Sequence, residues 1–210
     1  MPTGMKLPKP PLLVISDRTH ARRPLLEIAA AAFAGGCRWF SLREKDLSAA
    51  ERRVLLAELV ALGRRHGATV MAHDDIDGVL ETGAAGVHLP GSGDPAAARR
   101  RLPQGLIGVS AHSAGEAAAA LHAGADYVTL SPIFLTESKP GYGPALGLDA
   151  LAAAAAAAPG PIIALAGITP DNARSCIAAG AHGVAVMGEV MRAADPEKAV
   201  RRLLAAITVK

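Results

Sequence analysis

The feature that most restricts how this chain can fold is an alternation repeated eight times: a short β-branched, apolar run, then a longer Ala-, Leu-, Glu- and Arg-rich stretch of helical period. The apolar runs fall at Leu12–Ser16, Arg38–Arg43, Thr69–Ala72, Gly86–Leu89, Leu106–Ser110, Tyr127–Ser131, Ile162–Ala166 and Gly183–Met187. Strands joined by helical crossovers lie parallel, so the pattern predicts repeated βα units around one sheet. The fourth helical stretch, around Pro95 to Arg101, is short. The strings Ala34-Gly35-Gly36-Cys37, Thr82-Gly83-Ala84-Ala85, Ala123-Gly124-Ala125-Asp126 and Ala179-Gly180-Ala181-His182 each close a helix and open a strand, with Gly as the left-handed cap. With no polar linker or shift of composition between units, the expectation is an α/β chain forming a single (β/α)8 TIM barrel over residues 1–210. Met1 to Pro11 is expected to be a flexible extension. A doubly wound open sheet is the alternative.

Composition sharpens this picture. Half of the 210 residues are hydrophobic but only 3% are aromatic, so Ala, Val, Leu and Ile must fill the core against close-fitting helices. The tract Leu151 to Ala158 reads as helix, since Ala is the best helix former. A net charge of +3 is spread over helices such as Glu51 to Arg65 and Glu197 to Arg202. That describes solvated faces rather than a nucleic-acid footprint, and leaves room for an anionic small ligand. Cys37 and Cys176 have neither metal-ligand spacing nor a disulfide framework, and no apolar run reaches about 18 residues. A cytoplasmic protein with no membrane or nucleic-acid partner is expected, with a homo-oligomer left open.

In a barrel of this kind the chemistry sits where strands end and βα loops begin. Those positions read Ser16-Asp17-Arg18, Arg43-Glu44-Lys45, His73-Asp74-Asp75, His88-Leu89-Pro90-Gly91, Ser110-Ala111-His112-Ser113, Ser131-Pro132-Ile133-Phe134, Ala166-Gly167-Ile168-Thr169 and Met187-Gly188-Glu189. One or two such strings would be ordinary caps and turns. Cationic, acidic and imidazole groups converging on one rim predict a site. Gly167 and Gly188, paired after strands 7 and 8, let backbone N–H groups approach a ligand and predict a phosphate cup. The long Leu135–Pro144 connection offers Thr136, Ser138 and Lys139 to a phosphate or carboxylate and reads as a lid or ligand wall.

Taken in order, Val14-Ile15-Ser16-Asp17, Leu42-Arg43-Glu44-Lys45, Gly86-Val87-His88-Leu89, Gly108-Val109-Ser110-Ala111-His112, Ala125-Asp126-Tyr127-Val128, Thr136-Glu137-Ser138-Lys139 and Gly167-Ile168-Thr169-Pro170-Asp171-Asn172 resemble the thiamine phosphate synthase and thiazole tautomerase (TenI) superfamily. The resemblance implies a thiazole phosphate as ligand. For a synthase it also implies a pyrimidine methyl diphosphate and Mg²⁺; for a tautomerase it implies no cofactor. It further implies that Arg43, Lys45 and His73 hold the diphosphate and that Ser110 and Lys139 complete that site. Thr136 and Ser138, with the backbone at Gly167, Met187 and Gly188, would take the thiazole phosphate. Asp74 would be a metal ligand, with Asp94 as a second carboxylate one place late. His112 matches the acid/base position of the tautomerase branch. His88, inside its strand, reads as a packed, hydrogen-bonded residue.

Three departures tilt the expected reaction. The synthase Gln before Leu-Arg-Glu-Lys is Ser41, its Asn-Asp pair is His73-Asp74, and its Gly-Gln-x-Asp is replaced by Pro90-Gly91-Ser92-Gly93. These favour a tautomerase that aromatises a thiazole carboxylate phosphate. The alternatives are the synthase and a non-catalytic thiazole-phosphate-binding regulatory protein.

Overall fold

The computed structural model describes residues 7–136 and 144–208. Its strands β1 (Leu12–Ile15), β2 (Trp39–Leu42), β3 (Thr69–His73), β4 (Gly86–Leu89), β5 (Leu106–Ala111), β6 (Tyr127–Leu130), β7 (Ile162–Leu165) and β8 (Gly183–Val186) are all parallel and close in chain order. The seam is made by β1 and β8, with Leu12 opposite Val184 and Val14 opposite Val186, which excludes the open sheet. Several predicted strands ran one residue further at their C-terminal ends. The ladder does continue there, since Ser16 N–H donates to Ser41 C=O and Ser131 N–H to Ala111 C=O, both at 3.0 Å, but the chain then turns into its loop.

The connecting helices start where the sequence supplies caps. After α1 (Leu25–Ala34), α2 (Ala49–Arg65) opens on a Ser48/Glu51 capping box, and α3 (Ile76–Thr82) opens on Asp75 and closes on Gly83 at φ +68°. The short α4 (Pro95–Arg101) opens on Asp94, and α5 (Ala114–His122) on Ser113. Then come α6 (Gly147–Ala157) and α7 (Ala173–Ala178). After β8 the chain makes a one-turn helix, α8 (Gly188–Met191), before α9 (Pro196–Thr208), an insertion that periodicity did not announce.

Period-two alternation divides the core into two layers. Val14, Phe40, Val87, Ile107, Val128 and Val184 face the helices, where Ala29, Ala32, Ala117 and Ala154 permit close approach. Leu13, Trp39, Met71, Leu106, Tyr127, Ile163 and Ala185 fill the barrel itself. Trp39 meets the Tyr127 ring edge-on at 4.7 Å and donates its indole N–H to Met71 Sδ at 3.0 Å. This layer plugs the barrel floor.

The segment expected to be a flexible extension needs correcting from residue 7 onward. Leu7 packs on the inner layer, Pro10 C=O accepts Leu12 N–H at 2.9 Å, and Pro11 C=O accepts Val184 N–H at 3.0 Å. The chain thus covers the N-terminal mouth of the barrel before β1 begins. Both thiols are buried, which pushes Cys37 up to about 12 and Cys176 to about 11, well away from nucleophile range. Among the described residues no helix is long and apolar enough to cross a membrane.

Candidate active site

At the C-terminal end of the strands the barrel opens into a cavity of about 540 Å³. It is lined by Arg43, Lys45, His73, Ser110, His112, Thr136, Gly167, Met187 and Gly188, so the structure brings these predicted residues together. An open groove of about 420 Å³ outside α8 and α9 shares only Gly188, Glu189 and Arg192 with it. It lacks the convergence of strand ends that makes the first cavity the candidate site.

The first wall is cationic. Because β2 sends Trp39 and Ser41 inward, alternation carries Arg43 and Lys45 to the cavity and turns Glu44 away from it. Glu44 is buried beneath the first loop, where its Oε2 accepts Arg18 N–H at 2.8 Å and its Oε1 has no hydrogen-bond partner among the described residues. Burial pushes its carboxyl above the usual range. Ser16 Oγ accepts Arg43 N–H at 2.8 Å, and the Arg43 guanidinium lies 3.9 Å from Asp17. Ser16 and Glu44 thereby tie the first two loops and aim the cations.

The second wall holds the two glycines from which a phosphate cup is expected. Ala166 and Gly167 both adopt left-handed backbone, at φ +79° and +65°. A Cβ on Gly167 would stand 2.5 Å from Leu135 O and 2.6 Å from Phe134 Cβ, so only glycine fits this approach to the β6 loop. Asn172 clamps the turn: its amide donates to Gly167 C=O and its carbonyl accepts Thr169 N–H, each at 2.9 Å. Gly188 begins α8, and the Arg192 guanidinium lies across it, with Cζ 2.6 Å from where a Cβ would stand. The sequence reading missed Arg192, although its spacing of four from Gly188 places both on one helix face. Burial raises the Glu189 carboxyl, against the opposing pull of Arg202 and Arg192.

The third wall carries imidazoles. His112 Nδ1 lies 2.9 Å from Ser131 C=O; a carbonyl only accepts, so Nδ1 bears a proton. His73 stacks on His88 with centroids 5.5 Å apart. As the sequence suggested, His88 is buried and hydrogen-bonded, pairing with Tyr127 and Ser110, while it also contributes to the cavity floor beside Ser41.

Other predicted residues lie elsewhere. Asp94 does not line the cavity; its carboxylate caps α4 by accepting Ala97 N–H at 3.0 Å, because its late position puts it at a helix start. Asp74 is exposed at the rim with φ +53°, next to His73 but outside the lining. Among the described residues no group of three or more His, Cys, Asp or Glu side chains is arranged to hold a metal ion. Ser138 and Lys139 lie outside the described residues.

The sequence model of the family described as thiamine monophosphate synthase (TMP-TENI) matches residues 12–190. The chain is 41% identical over 198 residues to the thiamine-phosphate synthase of Moorella thermoacetica, covering 93% of this chain and 94% of that one. It is 41% identical over 197 residues to the thiamine-phosphate synthase of a Roseiflexus species, covering 92% and 84%. The solved structure of thiamine phosphate pyrophosphorylase from Pyrococcus furiosus superposes with a TM-score of 0.85 at 31% identity, over 93% of this chain and 94% of that one.

Proposed function

The chain belongs to the thiamine monophosphate synthase family of enzymes, and we propose that it joins a pyrimidine methyl diphosphate to a thiazole phosphate, releasing pyrophosphate and leaving thiamine phosphate. The observation that carries this reading is a single cavity with two anion-holding walls: Arg43 and Lys45 on one side, and the Gly167 and Gly188 cup with Arg192 on the other. A proton shift on one thiazole phosphate needs only the cup, so the separate cationic wall supports diphosphate chemistry. The names of the relatives support the same choice. The lost Gln, Asn and Asp, which favoured a tautomerase, leave the cations in place.

In this reading the methylene C–O bond breaks heterolytically and its electron pair leaves with pyrophosphate. The resulting pyrimidine cation accepts the lone pair of the thiazole nitrogen, forming the new C–N bond. Arg43 and Lys45 offset the charge growing on the leaving group, and Ser110 donates to it. On sequence grounds Lys139 joins them at the diphosphate, and Ser138 belongs with the thiazole phosphate. Thr136 and the backbone at Gly167, Met187 and Gly188 hold the thiazole phosphate, and the cup sets the ring nitrogen against the cation.

Mg²⁺ is usually held by one or two carboxylates together with substrate phosphates and water. With Asp94 engaged as a helix cap, Asp74, exposed at the rim beside His73, is the carboxylate that would hold the ion. Bound there, it would supply further charge neutralisation for the leaving pyrophosphate. The two buried thiols and the family's biosynthetic role support action in the cytoplasm.

One observation favours a second reading: Ser131 C=O holds the His112 ring by Nδ1 where it lines the cavity, and an imidazole so placed suits the aromatisation of a thiazole carboxylate phosphate. The deciding experiment incubates the purified protein with pyrimidine methyl diphosphate, thiazole phosphate and Mg²⁺, and in parallel with the non-aromatic thiazole carboxylate phosphate. Thiamine phosphate is the expected product of the first mixture. Its absence, with aromatisation in the second mixture that His112→Ala abolishes, replaces the synthase by the tautomerase.

A further inference from the structure

Beneath the cavity, inward-facing residues of three adjacent strands form one hydrogen-bonded chain. Tyr127 Oη lies 3.0 Å from His88 Nδ1, and His88 Nε2 lies 3.0 Å from Ser110 Oγ, with Thr129 Oγ1 further off at 3.3 Å. Gly108 makes the arrangement possible, since a Cβ there would collide with the Tyr127 ring and stand 2.6 Å from His88 Nδ1. His88 is 3% exposed, and burial pulls it down to about 4, so at neutral pH the ring carries one N–H. Burial moves Tyr127 the other way, keeping its O–H.

The direction of each bond then follows. The Tyr127 hydroxyl has two acceptors in reach, His88 Nδ1 at 3.0 Å and Met71 Sδ at 3.6 Å. A thioether is the weaker acceptor, so the phenol donates to Nδ1. That leaves the ring proton on Nε2, where it donates to Ser110 Oγ. Ser110, having accepted, directs its own O–H toward the cavity it lines.

We propose that His88 is a positioning residue: the Tyr127–His88 pair holds the Ser110 hydroxyl as a donor, matched to an anionic ligand oxygen that can only accept. The relay carries no net charge. It sets orientation, while Arg43 and Lys45 supply attraction. This rests on the reading of the cavity as a diphosphate site.

Two experiments test it. Histidine ¹⁵N NMR of the unliganded protein at pH 7 reads the tautomer; a protonated Nε2 with bare Nδ1 is expected, and the opposite tautomer overturns the relay. Calorimetric titration with inorganic pyrophosphate and Mg²⁺ then compares variants whose folding is checked by thermal unfolding. Ser110→Ala should weaken binding about tenfold or more, the scale of a hydrogen bond to a charged group. His88→Asn should match that loss, His88→Gln, which keeps an N–H near Nε2, should recover much of it, and Tyr127→Phe should lose part of it. The Ser110→Ala/His88→Asn double variant should bind no more weakly than Ser110→Ala alone. Losses that multiply in the double variant, or His88→Gln as damaging as His88→Asn, overturn the relay while leaving the diphosphate reading intact. A wild-type protein that ignores pyrophosphate overturns both.

Discussion

Replacing either glycine of the cup by alanine adds the same methyl group, and the structure predicts opposite outcomes. At Gly167 the methyl meets backbone, 2.5 Å from Leu135 O, at φ +65°. A left-handed L-residue costs roughly 1–2 kcal/mol, overpacking against a rigid neighbour adds about 1–3 kcal/mol, and the stiffer unfolded chain returns about 0.4–1 kcal/mol. The net is a loss of about 1–5 kcal/mol, or roughly 2–20 °C in Tm for a domain of this size. At Gly188 the methyl meets only the far end of Arg192, which can swing aside, and a helical Gly→Ala exchange itself gains up to about 1 kcal/mol. Gly188→Ala should therefore unfold no lower than wild type and at most about 4 °C above it, yet bind thiazole phosphate about tenfold more weakly, because the guanidinium is displaced from the cup. Differential scanning calorimetry gives the first quantity and isothermal titration the second. A Gly188→Ala variant that loses as much Tm as Gly167→Ala, or a Gly167→Ala variant that loses none, refutes the distinction between a backbone-locked turn after β7 and a side-chain-covered turn after β8.

Other consequences can be checked in the same preparations. Gly188→Asp puts a carboxylate beside Arg192 where the anion should sit, so the folded variant should show no measurable affinity for thiazole phosphate in titration; undiminished binding would sink the placement of the cup. Unfolded His88 takes up its proton near 6.5 and the native residue only near 4, so stability is complete above pH 6.5 and falls as pH drops through that window. Urea titrations from pH 7.5 to 4.5 should show part of a total loss of about 3 kcal/mol, and His88→Gln should flatten the slope. Asp126 Oδ2 accepts both Ile107 N–H at 2.7 Å and Arg99 at 2.6 Å. Asp126→Ala strands that amide and should cost about 1–3 kcal/mol, measured by urea unfolding at pH 7; a neutral result would show that water replaces the carboxylate.

Much of the barrel was legible in local chemistry. Each β-branched run and each glycine stop acts over a few residues, so β4 was read from Gly86 to Leu89 as it stands in the structure, and Gly83 closes α3 in the left-handed conformation expected of it. Barrel topology then put the strand-end residues on one rim, which is why Arg43, Lys45, Ser110, His112, Gly167 and Gly188 could be assembled in advance. The one-turn α8 escaped because four residues carry no periodicity, and Leu7 to Pro11 because their partners, such as Val184, lie at the other end of the chain.

The remaining features depend on how the strands are staggered when the barrel closes. That Asp94 caps α4 and does not line the cavity depends on where that helix starts in space, which composition does not register. That the Tyr127 hydroxyl, 39 residues from His88, should meet its ring while Ser110 meets the other side follows from the register of β4, β5 and β6 and the space left by Gly108. Residue types and their order record which groups reach the rim. The hydrogen-bond directions that make those groups donors or acceptors arise only when distant strands are packed side by side and water is removed from between them.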